Sequence, residues 1–230
     1  MPTPSAALTQ EAAYRNRFQH LPLNQIDLLL IRTPDFIRRM STSVAWGDYD
    51  QPERVVYLTF DDGPIPEVTP WVLDQLKKYN AKATFFCLGK HVDSYPGLYA
   101  RLIAEGHSVG NHTYDHPDGW KSGNLTYYKS VIACSDLVKS ALFRPPYGRI
   151  TPRQIRALKT RYKIILWSIL SQDYDTSKTP EQCVRNVTAK VKNGDIIVFH
   201  DSLKAWPNLS EALPATLAHL KQAGFRFLAL

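Results

Sequence analysis

The 230-residue chain has only three cysteines, no block of like charges and no apolar run long enough for a membrane. Cys87, Cys134 and Cys183 form no CxxC pair, and so sparse and odd a set argues against a disulfide framework. Cys87 closes an apolar run and reads as a buried core thiol rather than a nucleophile. The apolar stretch Ile26–Ile31 falls far short of the roughly 20 residues a spanning helix needs, so no membrane span is expected. The first basic residue is Arg15 and no apolar stretch of signal-peptide type follows the start, so export by a standard signal is not expected. No short internal repeat is present beyond the alternation described below.

What is present is the composition of an ordinary globular protein, 44% hydrophobic and 21% charged. The length suits one large domain and a small extension. Lys and Arg number 28 against 21 Asp and Glu, a net charge of +7 that favours approach to anionic partners. These charges are scattered and read mostly as a solvated face. No nucleic-acid motif occurs, and no nucleic-acid partner is expected.

Residues 1–25 are polar and weakly patterned, and read in part as mobile or as a short helix. From Ile26 to Gln51 apolar and basic residues mix, which suits an element packed on the outside of the main domain. From Glu53 onward, apolar runs alternate with amphipathic stretches. The runs are Val55–Phe60, Ala83–Cys87, His107–Asn111, Leu142–Arg144, Tyr162–Ser168, Asp195–His200 and Phe225–Leu228. Their length and their β-branched and aromatic content predict buried strands. Thr69-Pro70, Thr151-Pro152 and Thr179-Pro180 each pair an N-cap threonine with proline at the first helical position. Gly106, Gly194 and Gly224 stand where helices should stop. The pattern predicts an α/β fold: a distorted (β/α) barrel of about seven parallel strands over residues 53–230, with residues 1–52 as an N-terminal extension. An open doubly wound sheet is the structural rival. Both gather chemistry at the C-terminal ends of the strands.

Those ends carry reactive groups. After Val55–Phe60 come Asp61 and Asp62, then Gly63-Pro64. Adjacent carboxylates raise each other's pKa unless a cation or partner divides their roles, although a polar turn accounts for this segment taken alone. After His107–Asn111 come His112 and His116, whose i, i+4 spacing faces two imidazoles the same way on a helical turn. One carboxylate and two imidazoles make a three-ligand site with an open position for water, the pattern of catalytic zinc. After Leu142 comes Arg144-Pro145-Pro146-Tyr147. The paired prolines stiffen the turn, and the first free backbone donor beyond them is the Tyr147 N–H, placed as an oxyanion hole requires; a plain turn also fits. His200 ends Asp195–His200, where an imidazole is set for proton transfer. Chance explains any one of these four ends but does poorly with all four.

With these residues in view, the sequence resembles the polysaccharide deacetylase family, the NodB-homology domain of carbohydrate esterase family 4. The likeness is carried by TFDDGP at Thr59–Pro64, HTYDH at His112–His116, RPPYG at Arg144–Gly148 and VFHD at Val198–Asp201, and it covers roughly Glu53 to Leu230. It implies a metal-dependent hydrolase removing N-acetyl groups from an N-acetylglucosamine-containing glycan of peptidoglycan, chitin or poly-N-acetylglucosamine type. Asp62, His112 and His116 would hold one divalent metal, most often zinc in the family. Asp61 would be the general base, Arg144 its holder and His200 the general acid. The Tyr147 N–H would stabilise the oxyanion, and Tyr174 with Val198 would line the acetyl-methyl pocket. Members are often exported or associated with the cell envelope.

The resemblance breaks at one motif. The family's DxxDW aligns with Leu170-Ser171-Gln172-Asp173-Tyr174, so leucine stands at the first aspartate, the position taken to pair with the catalytic histidine. His200 is therefore expected to hold its proton less tightly, unless Asp173 or Asp201 substitutes. Two alternatives follow: an acetyl-xylan-type O-deacetylase, because the same site can cleave an ester, and a glycan-binding protein weakened at Leu170. A two-metal phosphodiesterase would need more ligands than the sequence offers. Trp120 and Trp206 are candidates either for stacking on sugar rings or for packing.

Overall fold

The computed structural model describes residues 31–33 and 43–230. The expectations for residues 1–25, and for the parts of 26–51 beyond 31–33 and 43–51, lie outside the described residues. Among the described residues nine strands join in one sheet whose ladders are all parallel: β1 (Val44–Ala45), β2 (Val55–Asp61), β3 (Ala83–Cys87), β4 (Ser108–Asn111), β5 (Leu142–Phe143), β6 (Lys163–Ile165), β7 (Ile169–Leu170), β8 (Asp195–His200) and β9 (Arg226–Phe227). The order is β1-β6-β5-β4-β3-β2-β8-β7, with β9 also on β2. Strands β2 to β6 follow one another around the sheet, and β8 returns to the free side of β2. That is a barrel's neighbour relation rather than that of the open-sheet rival, and the sheet curls into a half-barrel. The two strands beyond the expected seven, β1 and β7, are two residues each, too short to show a period.

Seven α-helices lie in the described residues: α1 (Thr69–Lys78), α2 (Gly89–Ser94), α3 (Pro96–Ala104), α4 (Asn124–Leu137), α5 (Pro152–Leu158), α6 (Pro180–Thr188) and α7 (Trp206–Gln222), with one 3-10 turn at Pro146–Gly148. Thr151 and Thr179 cap α5 and α6 through full capping boxes with Gln154 and Gln182. Thr69 does not cap α1. The N-cap there is Val68, and the Thr69 hydroxyl instead accepts from the Ile65 N–H and donates to Asp201 at 2.6 Å. Gly106, Gly194 and Gly224 adopt φ of +77°, +77° and +82°, as helix-terminal glycines do.

Strand β2 is buried along its whole length. Its period of two divides the residues between two cores. Val56, Leu58 and Phe60 pack outward with Val72 and Leu76 of α1 and Leu213 and Leu217 of α7. Val55 and Tyr57 point into the half-barrel with Phe86, Phe143, Ile165 and Ile196. Fully burying one such apolar side chain stabilises the fold by about 1.5–3 kcal/mol. Thr59 and Asp61 continue the inward row, so the last residue of the central strand brings a carboxylate to the mouth of the half-barrel.

Near the seam between β6 and β7, the backbone of Thr33 donates to Ser168 and that of Leu170 donates to Ile31. Arg32 forms an ion pair at 2.6 Å with Asp195, the wholly buried first residue of β8. The described parts of residues 26–51 thus pack on the sheet itself. All three cysteines are buried and unpaired, and burial pushes the Cys134 thiol up to about 12, as suits core thiols. Among the described residues no helix is long and apolar enough to cross a membrane.

Candidate active site

The C-terminal ends of β2, β4, β5 and β8 meet at one cleft of about 450 Å³. Asp61, Asp62, His112, His116, Tyr147 and His200 all line it. In the β2–β8 ladder Asp61 stands directly beside His200.

Asp62, at φ 85°, turns away from the strand. Its Oδ1 lies 3.3 Å from His116 Nε2 and 3.8 Å from His112 Nε2. One ligand atom from each of the three residues lies within 4.8 Å of the others, a spacing a single cation can bridge. His112 Nδ1–H donates to the Arg144 carbonyl at 2.8 Å, which fixes the tautomer and frees Nε2 as a ligand. Burial first and the charge of His112 second hold His116 down at about 4, so its ring is neutral and its lone pair available at neutral pH. Burial by itself raises the Asp62 carboxyl, but His200, His112, His116 and His91 together bring it below its ordinary value. The donor set fits a divalent metal. The local form differs from the helical turn expected: HTYDH is an irregular loop with Thr113 at φ 69° and His116 at φ 64°. Positive φ at two points, rather than helical spacing, turns the two rings toward one another.

Asp61 is held from behind. Arg144, wholly buried, donates through one Nη to Asp61 Oδ1 and to Thr59 Oγ1, each at 2.7 Å. Its other groups donate to the carbonyls of Leu166 and Ile165, and its guanidinium lies 4.0 Å from the centre of the Phe86 ring. Burial favours loss of its proton and the Asp61 charge opposes this. The N–H groups of Gly148 and Arg149 are taken by the carbonyls of Pro145 and Pro146. Tyr147, at φ 58°, is 55% exposed at the cleft, with no acceptor on its N–H among the described residues.

His200 has its aspartate. Asp173 accepts from His200 Nδ1–H through Oδ1 and from the His200 backbone N–H through Oδ2, both at 2.8 Å. Ser171 donates to the same carboxylate, and Asn208 donates to the Asp173 carbonyl. Burial favours a neutral imidazole, but the charge and hydrogen bond of Asp173, then Asp62 and Asp61, raise His200 to about 9. The exception that the sequence allows is the one met: Asp173, the second aspartate of the motif, pairs with His200 in place of the residue at position 170, and the proton is not loosely held. Asp201 instead accepts from the Gly63 N–H and the Thr69 hydroxyl. Any side chain at Gly63 would strike it, since a Cβ there would lie 1.9 Å from Asp201 Oδ2.

Tyr174 lines the cleft, its ring edge-on to His200 at 4.9 Å. Val198 does not: it is fully buried in the inner core, because it lies two residues inside the end of β8. The apolar lining comes from Leu88, Trp167 and Leu170. Trp206 packs edge-on against Trp71 at 5.0 Å, away from the cleft lining. Trp120 sits behind the wall, 5.2 Å below the guanidinium of the lining residue Arg149. Sequence reasoning missed Lys90, His91, Trp167, Arg149, Ser202 and Lys204. Leu88 to His91 follow β3, so the strand-end rule that found the other groups was available there too.

Comparison with known proteins decides the family, because residues 48–162 match the polysaccharide deacetylase family. The chain belongs to that family. A peptidoglycan-N-acetylglucosamine deacetylase of Bacillus cereus is 35% identical over 192 residues, 80% of this chain and 69% of that protein. The peptidoglycan-N-acetylglucosamine deacetylase PgdA of Listeria monocytogenes is 37% identical over 76% of this chain, which spans 38% of the length of PgdA. The crystal structure of the Bc1960 peptidoglycan N-acetylglucosamine deacetylase superposes with a TM-score of 0.78 at 32% identity, over 86% of this chain and 95% of that one. The family match includes the ends of β2, β4 and β5 and stops short of Asp173 and His200.

Proposed function

We propose that the protein is a zinc-dependent hydrolase that removes N-acetyl groups from N-acetylglucosamine-containing glycan and releases acetate. The observation that carries the reading is one cleft in which Asp62, His112 and His116 at a spacing a cation could bridge, a braced carboxylate and an aspartate-paired histidine converge. The named activity of the relatives supports it. In this reading residues 53–230 carry the deacetylase domain, and residues 1–52 are an extension that lends strand β1 to its sheet.

Asp62, His112 and His116 would hold the metal, which supplies Lewis-acid polarisation of the acetyl carbonyl and a more acidic water. Asp61, fixed by Arg144, takes a proton from the attacking water. It cannot swing away, because Arg144 is itself tied to Thr59, Leu166 and Ile165. The Tyr147 N–H, held by the Pro145-Pro146 turn, donates to the oxygen on which negative charge develops. His200 gives its Nε2 proton to the departing amine while Asp173 keeps Nδ1 protonated. Two titratable groups with opposed duties thus stand side by side, one braced as base and one charged as acid. Leu170 and Trp167, with Tyr174, provide an apolar wall for the acetyl methyl.

Acetate release from an N-acetylglucosamine oligomer, with a chelator and then with zinc restored, tests the reading. Chelator-sensitive release rescued by zinc supports it. Release from acetylated xylan alone would transfer the site to the ester reading. The binding-protein alternative loses its motive, since it rested on a missing partner for His200, and Asp173 is that partner.

A further inference from the structure

We infer that the segment from Leu88 to His91, which caps and opens α2 directly after β3, is a clamp that sets the two metal-ligand loops against each other, and that His91 is a positioning residue for Asp62. Four consecutive residues each donate one hydrogen bond across the site. The Leu88 N–H donates to the Gly63 carbonyl at 3.0 Å, and the Gly89 N–H to that of Thr113 at 2.9 Å. The Lys90 N–H donates to the Tyr114 carbonyl at 3.1 Å. His91 Nδ1–H donates to the backbone carbonyl of Asp62 at 2.6 Å. Two of these bonds go to the loop that carries Asp62. The other two go to the loop between His112 and His116. No further side chain among the described residues donates to the Asp62 carbonyl.

The arrangement meets a specific mechanical need. Asp62 at φ 85°, Thr113 at φ 69° and His116 at φ 64° lie in the left-handed region that residues other than glycine disfavour, so both loops require outside restraint to stay there. A donor on the Asp62 carbonyl fixes the peptide plane that follows Asp62 and hence the backbone from which its carboxylate projects. Because the acceptor is a carbonyl, which has no proton to give, Nδ1 of His91 must carry the hydrogen. Gly89 permits the close approach: a Cβ there would lie 2.6 Å from the Tyr114 ring and 3.1 Å from the Cα atoms of Tyr114 and Cys134. Outer partners that orient a metal ligand are worth about 10–100-fold in metal affinity. His91 also lines the cleft, but its bond to Asp62 faces the backbone and not the reacting atoms, which separates its role from that of His200.

The inference rests on the metal reading of Asp62, His112 and His116, and its test needs no substrate. Co²⁺ and zinc affinities of the full chain are measured by titration, with the visible Co²⁺ spectrum and the thermal midpoint of the metal-free protein alongside. His91→Leu removes the donor. His91→Asn returns an N–H close to the position of Nδ1. The expected result is a loss of about tenfold or more in Co²⁺ affinity with an altered spectrum for His91→Leu, and recovery of most of it in His91→Asn. Unchanged affinity and spectrum in His91→Leu, or an equal loss in both variants, overturns the inference. If His91→Leu does not fold, ¹⁵N NMR of the wild-type imidazole decides: the Nδ1–H tautomer, in the metal-free and loaded protein alike, supports the clamp, and the Nε2–H tautomer overturns it. Absence of metal binding in the wild type would sink the metal reading itself, an outcome distinct from either of these.

Discussion

Asp173 grips His200 at two points, taking the ring Nδ1–H through one carboxylate oxygen and the backbone N–H through the other, both at 2.8 Å. The ring is thereby fixed in tautomer and direction, and Nε2 is the nitrogen that the proposed mechanism uses.

Asp173→Asn removes a charge from the imidazole that burial already disfavours in its charged form. The sign is downward: His200 falls from about 9 toward or below the ordinary value of 6.5, and the acid form is lost at lower pH. The alkaline limb of kcat/KM against pH should move down by about one unit or more, and activity at pH 8 should fall about tenfold or more. An unmoved limb would mean that His200 is not the acid.

Leu170→Asp should restore nothing. Leu170 is 2% exposed, packs in the inner core and lines the cleft together with Trp167 and Tyr174, so the substitution places a carboxylate among apolar groups. A loss of about 1–3 kcal/mol in stability is expected, with no upward move of the alkaline limb. Denaturant unfolding and the same pH profile check both parts.

Asp61→Asn should separate chemistry from metal binding. The amide keeps the shape and loses the base, so kcat should fall by about 10²–10⁴-fold while Co²⁺ affinity stays near that of the wild type. His116→Ala should do the reverse and lose the metal first. Equal metal loss in both would contradict the division of labour between the two aspartates.

Arg144→Leu leaves Asp61 as an unpaired buried charge, and breaking such a pair by removing one partner costs about 3–5 kcal/mol. Arg144→Lys should also fail to recover full activity, since one ammonium cannot reach Asp61, Thr59 and the carbonyls of Leu166 and Ile165 together. Thermal unfolding and kcat/KM of both variants test this.

Metal removal should lower stability as well as abolish turnover. A ligand that binds only the folded state at 100 times its Kd contributes about 2.7 kcal/mol, so chelation should depress the midpoint of unfolding and zinc should restore it. His112→Ala should show neither response.

The sequence by itself determined the parallel α/β plan, the strand ends that carry Asp61, Asp62, His112, His116, Tyr147 and His200, and two of the three capped helices. It could do so because strand burial and helix caps are local: composition, a period of two and a Thr-Pro pair act within a few residues. What only the tertiary structure decided depends on distance across the fold. Asp173 and not the residue at position 170 meets His200, because the chain leaving β7 turns back over the end of β8. Val198 is sealed in the core while Trp167 and Leu170 reach the cleft, because exposure at a strand end is set by the neighbouring strands. Thr69 gives its hydroxyl to Asp201 rather than to a helix end. The bond of His91 to Asp62 spans 29 residues, and no local pattern encodes it. Spacing along the chain states which groups are present, and the close packing of the sheet decides which of them meet.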